Sequence, residues 1–155
     1  MSAQPETLWR LAPMHPSHLP QVLDIERQVY PFPWTDGIFQ DCLRVGYSSW
    51  VVTNTLGEVL AYALMSMAVG EAHVLNLCVS PDQQRQGLAQ FLMKHLLMVA
   101  RAANVTLVLL EVRVSNKPAQ KLYDQFGFKR LGLRKAYYPA AGGREDALVL
   151  GLDFA

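Results

Sequence analysis

The stretch SPDQQRQGLAQFLM, Ser80 to Met93, decides the reading of this 155-residue chain. An apolar run, VLNLCV, leads into it and an amphipathic segment follows, so the junction reads as strand, turn and helix. Gln84, Arg85 and Gln86 sit where acidic residues ordinarily favour the positive end of a helix dipole. A helix N-terminus offers unpaired backbone N–H groups and about half a positive charge, a seat for an anion. Here the first turn holds no carboxylate, Arg85 adds positive charge, Gly87 lets a ligand approach the backbone, and small Ala89 keeps the second turn clear. The plainer reading is an ordinary β-to-α connection with a glycine in it. A P-loop would need a lysine after its second glycine and a dinucleotide fingerprint three spaced glycines, and neither is present.

Working outward, the chain reads as one α/β domain, long enough to bury a core. Hydrophobic residues make up 51% and charged residues 17%, too apolar for a disordered chain. A net charge of +1 with interspersed signs argues against a nucleic-acid binder, which would show a basic stripe. Cys42 and Cys78 cannot form a disulfide scaffold, no basic-then-apolar leader opens the chain, and no apolar run reaches the roughly 20 residues that cross a bilayer. A cytoplasmic protein with no membrane partner is expected. His15, His18, His73 and His95 show no ligand spacing and read as surface or core residues, so no metal is expected.

Strands are predicted over 7–12, 48–54, 58–68, 72–79, 105–112, 128–135 and 146–153, and helices over 17–29, from Thr35 or Asp36 to Arg44, over 87–103, and after Asn116. Asn116 suits a helix cap, with Pro118 in the first turn and Gly127 as the stop. YPFPW (30–34) and KAYYPAAGGRED (135–146) read as aromatic, proline-stiffened loops.

Glu111 ends an apolar run, and Tyr123 lies with Ala119, Leu122 and Phe126 at core spacing. Glu111 reads as a structural charge, with Arg113 its obvious partner, as a solvated strand end, or as a base. Burial would raise its carboxyl from about 4.3 toward neutrality, where a general base works best. Tyr123 reads as a packed aromatic or as an acid. Acyl transfer from a thioester would use both: the attacking amine loses a proton, and a thiolate of pKa about 8.5 gains one from a phenol of about 10.

Gln84-Arg85-Gln86-Gly87-Leu88-Ala89 resembles the pyrophosphate loop, Q/R-x-x-G-x-G/A, of the GCN5-related N-acetyltransferases (GNAT). LEVRVSN (110–116), LYDQFGF (122–128), YYPAAGGREDA (137–147) and FPW (32–34) narrow the resemblance to the RimI-type family of ribosomal-protein alanine N-acetyltransferases, over nearly the whole chain and in order. The resemblance implies a GNAT fold: a mixed, mostly antiparallel sheet of about seven strands with about four helices, splayed at the acetyl-CoA site. It implies that Arg85, Gln86, Gly87, Leu88, Ala89 and Gln90 hold the diphosphate of acetyl-CoA, and that Leu77, Cys78, Val79 and Asn116 contact the pantetheine arm. It makes Glu111 the proton acceptor and Tyr123 the proton donor. In the family the two aromatic loops flank the acceptor entrance, so Phe32, Trp34, Tyr137 and Tyr138 would receive the N-terminus of a peptide or ribosomal protein. Two other classes stay open: an enzyme of the same fold acting on lysine or a small amine, and a non-catalytic acyl-CoA-binding module.

Overall fold

In the computed structural model, which describes residues 8–154, the elements run β1 (Arg10–Pro13), α1 (Leu19–Val29), α2 (Asp36–Arg44), β2 (Ser48–Thr53), β3 (Val59–Ala68), β4 (Glu71–Val79), α3 (Leu88–Ala102), β5 (Leu107–Arg113), α4 (Lys117–Gln125), β6 (Lys129–Ala140) and β7 (Gly143–Asp153). The strands form one seven-stranded mixed sheet, hydrogen-bonded in the order β1-β2-β3-β4-β5-β7-β6. This is the element order expected from the sequence. The first strand is shorter than its predicted span, and Thr7, where that span began, lies outside the described residues.

Local chemistry sets the helix boundaries. The Thr35 side chain accepts from the Ile38 N–H at 3.3 Å, so Thr35 rather than Asp36 caps α2. Pro20 is confined to the first turn of α1, where its missing N–H costs no helix bond. Asn116 caps α4 by accepting from the Ala119 N–H at 3.2 Å.

The chain divides into two compact units, one from Met1–Leu64 with Asn76–Leu92, the other from Met65–Leu75 with Met93–Ala155. The first packs α1 and α2 with their strands around Leu19, Val22, Phe39, Val51, Tyr62 and Leu64. Phe39 lies at its centre, with ring centroids 5.2 Å from Trp34 and 6.0 Å from Tyr62. Burying a side chain of that size contributes about 1.5–3 kcal/mol. In the second unit Val108, Leu110 and Val112 of β5 alternate inward, with Met93, Leu96 and Ala100 of α3 also buried.

One predicted loop is corrected. KAYYPAAGGRED is not a loop: β6 and β7 run through it as an antiparallel hairpin, paired out to Ala140↔Gly143. Pro139 is accommodated because β6 is the last strand in the sheet order, where a missing N–H interrupts no further ladder. The register slips between Arg134 and Tyr138, and Ala136, inside that slip, has φ 52. This bulge masks the alternation by which a strand would have been read.

Candidate active site

Within the first unit, β4 ends at Val79, and the Ser80 N–H donates to the Leu60 carbonyl at 2.8 Å. Pro81–Gln83 makes a single 3-10 turn. Both Arg85 (φ 66) and Gly87 (φ 85) then adopt left-handed backbone. Glycine does so freely, whereas for arginine the conformation costs roughly 1–2 kcal/mol. Phe91 N–H donates to the Gly87 carbonyl at 3.0 Å, which leaves the amides of Leu88, Ala89 and Gln90 as the helix-terminal donors. The first turn of α3 carries no acidic residue. Arg85, Gln86, Gly87 and Gln90 are exposed, and Leu88 is buried beneath them as the anchor of the turn.

Upstream of that turn, the Leu77 carbonyl accepts from the Tyr30 hydroxyl and the Val79 carbonyl from Gln84 Nε2, both at a long 3.4 Å. Cys78 is buried and its thiol is pushed up to about 12, chiefly by burial. Burial also raises Cys42, so both cysteines are free, protonated packing residues.

A buried carboxyl organises this unit. Glu26 Oε1 accepts from the Tyr62 hydroxyl at 2.7 Å and from Asn76 Nδ2 at 3.0 Å, while Oε2 accepts from the Trp34 N–H at 2.9 Å. The last bond ties the YPFPW segment to α1. Phe32 stands exposed on that segment, and Trp34 is half-buried against Phe39.

Within the second unit, the parallel register of β4 and β5 runs from Glu71↔Leu107 to Val74↔Leu110, and both strands continue past it. Glu111 lies just beyond. His73 Nε2 sits 2.6 Å from Glu111 Oε1, and Arg134 Nε lies 3.6 Å from Oε2. Two expectations are overturned here. The partner of Glu111 is His73 rather than Arg113, because Arg113 turns to Glu145 Oε1 at 3.1 Å and the Pro139 carbonyl at 2.8 Å. Nor is Glu111 raised. The His73 hydrogen bond is the largest influence, and with the electrostatic pull of the His73 ring and of Arg134 it outweighs burial, holding the carboxyl below its usual range. His73, read from sequence as an ordinary surface or core residue, is part of the site.

Tyr123 is fixed by the end of its helix. Phe128 N–H donates to the Tyr123 carbonyl at 3.1 Å and Gly127 N–H to the Asp124 carbonyl at 2.9 Å, the paired bonds of a Schellman stop. Gly127 supplies the required positive φ of 90, and the Phe128 ring packs 5.9 Å from Tyr123. Burial pushes the Tyr123 hydroxyl up to about 12.

The hairpin owes its shape to three charged residues of the GGREDA motif. Arg144 donates to the carbonyls of Ala136 (2.7 Å) and Tyr137 (3.1 Å), and Asp146 accepts from the Ala136 N–H at 2.8 Å. Glu145 joins Arg113 to the Ser115 N–H, which donates to it at 2.8 Å. The bulge so held presents Tyr137 and Tyr138 edge to face at 4.9 Å, with the Arg113 guanidinium 4.5 Å over the Tyr138 ring. Burial first, then the charge of Glu111, raises the Tyr138 hydroxyl, with Tyr137 and Tyr123 adding to the shift and Arg113 opposing it. Glu111, Tyr123, Tyr137 and Tyr138 therefore share one electrostatic neighbourhood.

Residues 19–128 match the model of the acetyltransferase (GNAT) family. The chain belongs to that family. Among its GNAT relatives, ribosomal protein bS18-alanine N-acetyltransferase of Escherichia coli K12 is 34% identical over 92% of this chain and 95% of its own length. The protein of the same name from Salmonella typhimurium is 35% identical over 86% of this chain and 90% of its own. The crystal structure of the Escherichia coli ribosomal-protein-S18-alanine N-acetyltransferase superposes with a TM-score of 0.88, at 33% identity, covering 95% of this chain and 94% of that one. Ard1 from Thermoplasma volcanium shares the GNAT fold, with a TM-score of 0.87 at 23% identity over 96% of this chain and 99% of that one.

Beyond the GNAT motifs, sequence reasoning missed three residues. Glu26 occupied a core position of α1, with Leu19, Val22 and Leu23, and a carboxylate in that register was the available signal. His73 alternates with buried Ala72 and Val74, which placed it on the same face of β4 as Leu75 but named no partner. The left-handed backbone of Arg85 left no mark in the sequence.

Proposed function

We propose that this chain, as a single catalytic domain, transfers the acetyl group of acetyl-CoA to the N-terminal α-amine of a protein, the N-terminal alanine of ribosomal protein bS18. The convergence of Glu111, Tyr123, Tyr137 and Tyr138 in one neighbourhood carries this reading, and the name shared by relatives that match nearly end to end supports it. The acid-free start of α3 and the exposed turn before it fit a diphosphate, so the main chain of Arg85–Gln90 holds that group. Leu77, Cys78 and Val79 line the pantetheine arm, and Asn116 contacts it while capping α4. Phe32 and Trp34 wall the first residue of the acceptor, and Tyr137 and Tyr138 hydrogen-bond its backbone.

Chemically, the acceptor arrives as an α-amine of pKa about 8, so little of the driving force need come from the base. Glu111 is the carboxylate on which removal of the amine proton depends. Tyr123 holds a proton throughout the physiological range and gives it up only as charge develops on the departing sulfur.

Mass spectrometry of two peptides incubated with acetyl-CoA tests the reading. One starts with a free Ala-Arg-Tyr, and the other has a blocked N-terminus and an internal lysine. Acetylation of the first alone, abolished in Glu111→Gln, is the expected result. Acetylation of the blocked peptide alone would replace the α-amine with a lysine acceptor. If neither is modified while acetyl-CoA still binds, a small amine or a binding role takes its place.

A further inference from the structure

His73 and Glu111 divide their tasks by exposure. The Glu111 side chain is 8% exposed and that of His73 34%, so the imidazole is the more solvent-accessible member of the pair. Both oxygens of Glu111 already face nitrogen partners, His73 at Oε1 and Arg134 at Oε2. An ionised carboxylate only accepts hydrogen bonds, so the 2.6 Å contact places the imidazole hydrogen on Nε2. Among the described residues this is the ring's one hydrogen bond, so in the neutral ring the lone pair lies on Nδ1. A base oriented through its far nitrogen by a buried carboxylate is a recurrent catalytic arrangement.

We propose that His73 takes up the acceptor's proton at Nδ1 and that Glu111 orients its ring and balances the charge that forms. This deepens the reading above and rests on it. As the amine nitrogen bonds to the acetyl carbon, its proton passes to Nδ1, directly or through one water. The carbon–sulfur bond breaks, and the sulfur takes the proton of Tyr123. The imidazolium then releases its proton to solvent and Tyr123 recovers one, so the sum is amine plus acetyl-CoA to amide plus free thiol. A carboxyl held below its usual range, as Glu111 is, makes a weak base but a good anchor for such a cation. The charged and titratable groups around the pair are Arg134, Tyr137 and Tyr138 of β6, Tyr123 of α4, Arg113 two residues after Glu111 on the same face of β5 and, two residues before His73 on the same face of β4, Glu71. The neighbouring strand β3 contains no Asp, Glu, Lys, Arg or His.

The test combines kinetics with nitrogen NMR of the imidazole. His73→Gln keeps a donor for Glu111 but cannot take a proton. It is expected to lower kcat at least about 100-fold and to abolish the acid limb of the pH profile, with the KM for acetyl-CoA nearly unchanged. Added imidazole should restore part of the activity of His73→Ala. A His73→Gln enzyme with wild-type kcat and acid limb would return the proton to Glu111 and overturn the proposal. The NMR spectrum of the wild type must show the neutral Nε2–H tautomer, and an Nδ1–H tautomer overturns the proposal whatever the substrate. Failure of the wild type to acetylate an Ala-initiated peptide would instead unseat only the acceptor reading, and the tautomer would still decide the role of His73.

Discussion

A phenol buried as deeply as that of Tyr123 is held by two separate devices, the Schellman bonds on its carbonyl and the Phe128 ring against its own. Neither involves the hydroxyl. Removing only that oxygen therefore separates chemistry from packing. Tyr123→Phe is expected to lower kcat by about 10²- to 10⁴-fold, the usual scale for general acid catalysis, with little change in the thermal midpoint. Steady-state kinetics beside calorimetry reads both numbers. A midpoint that collapses together with kcat would mean that the hydroxyl serves the fold, and an unchanged kcat would remove Tyr123 from the mechanism. A phenol pushed up to about 12 is a poorer acid than free tyrosine. Its proton moves only when the sulfur already carries charge, which is the timing that protects the thioester before an acceptor arrives.

At the scale of elements, the YPFPW segment holds its place through a single carboxyl on α1. Glu26 takes three donors, from Tyr62, Asn76 and the Trp34 backbone, and each would be left unsatisfied in the interior if it were removed. Glu26→Ala should cost on the order of 3 kcal/mol in urea unfolding. Glu26→Gln distributes the loss differently. Its carbonyl oxygen can still serve Tyr62 and Asn76, but its amide then faces the Trp34 N–H, donor against donor. The expected outcome is a smaller loss of stability with markedly faster hydrogen exchange at the Trp34 amide and a raised KM for the peptide. Equal stability loss in both variants, with Trp34 still protected, would show that the segment is held by its aromatic packing on Phe39 instead. The β6–β7 hairpin follows the same logic: Arg144 and Asp146 bind the backbone of Ala136 and Tyr137 and so fix the bulge that carries Tyr137 and Tyr138, while Glu145 between them ties the hairpin to Arg113 and the Ser115 N–H.

Over the whole molecule, what could be read from sequence was what depends on near neighbours. Thr35, Asn116 and Gly127 each act within four residues, and all three ends fell where their chemistry put them. The partners of Glu26 on β3 and β4 are 36 and 50 residues away, and His73 and Glu111 are 38 apart, so no local pattern names them. The hairpin was hidden for another reason, since its bulge breaks the alternation that identifies a strand. The phosphate turn lies between these cases, its composition plain and its backbone strain at Arg85 invisible. That strain yields a test on the entire fold. A ligand that binds only the native state stabilises it by about 2.7 kcal/mol at a hundredfold excess over its Kd, which for a chain of this length raises the midpoint by about 5–10 °C. Acetyl-CoA should produce that shift. Acetyl-pantetheine, which keeps the thioester arm and lacks the diphosphate, should produce almost none at the same concentration. Gly87→Ala, forced to φ 85, should abolish the acetyl-CoA shift and by itself lower the ligand-free midpoint by a few degrees, since the left-handed backbone strains any residue with a Cβ even though that Cβ meets nothing within 4 Å. Equal shifts from both ligands would move the binding energy from the start of α3 to the pantetheine arm, and Arg85 would then hold its left-handed backbone for some reason other than the phosphates.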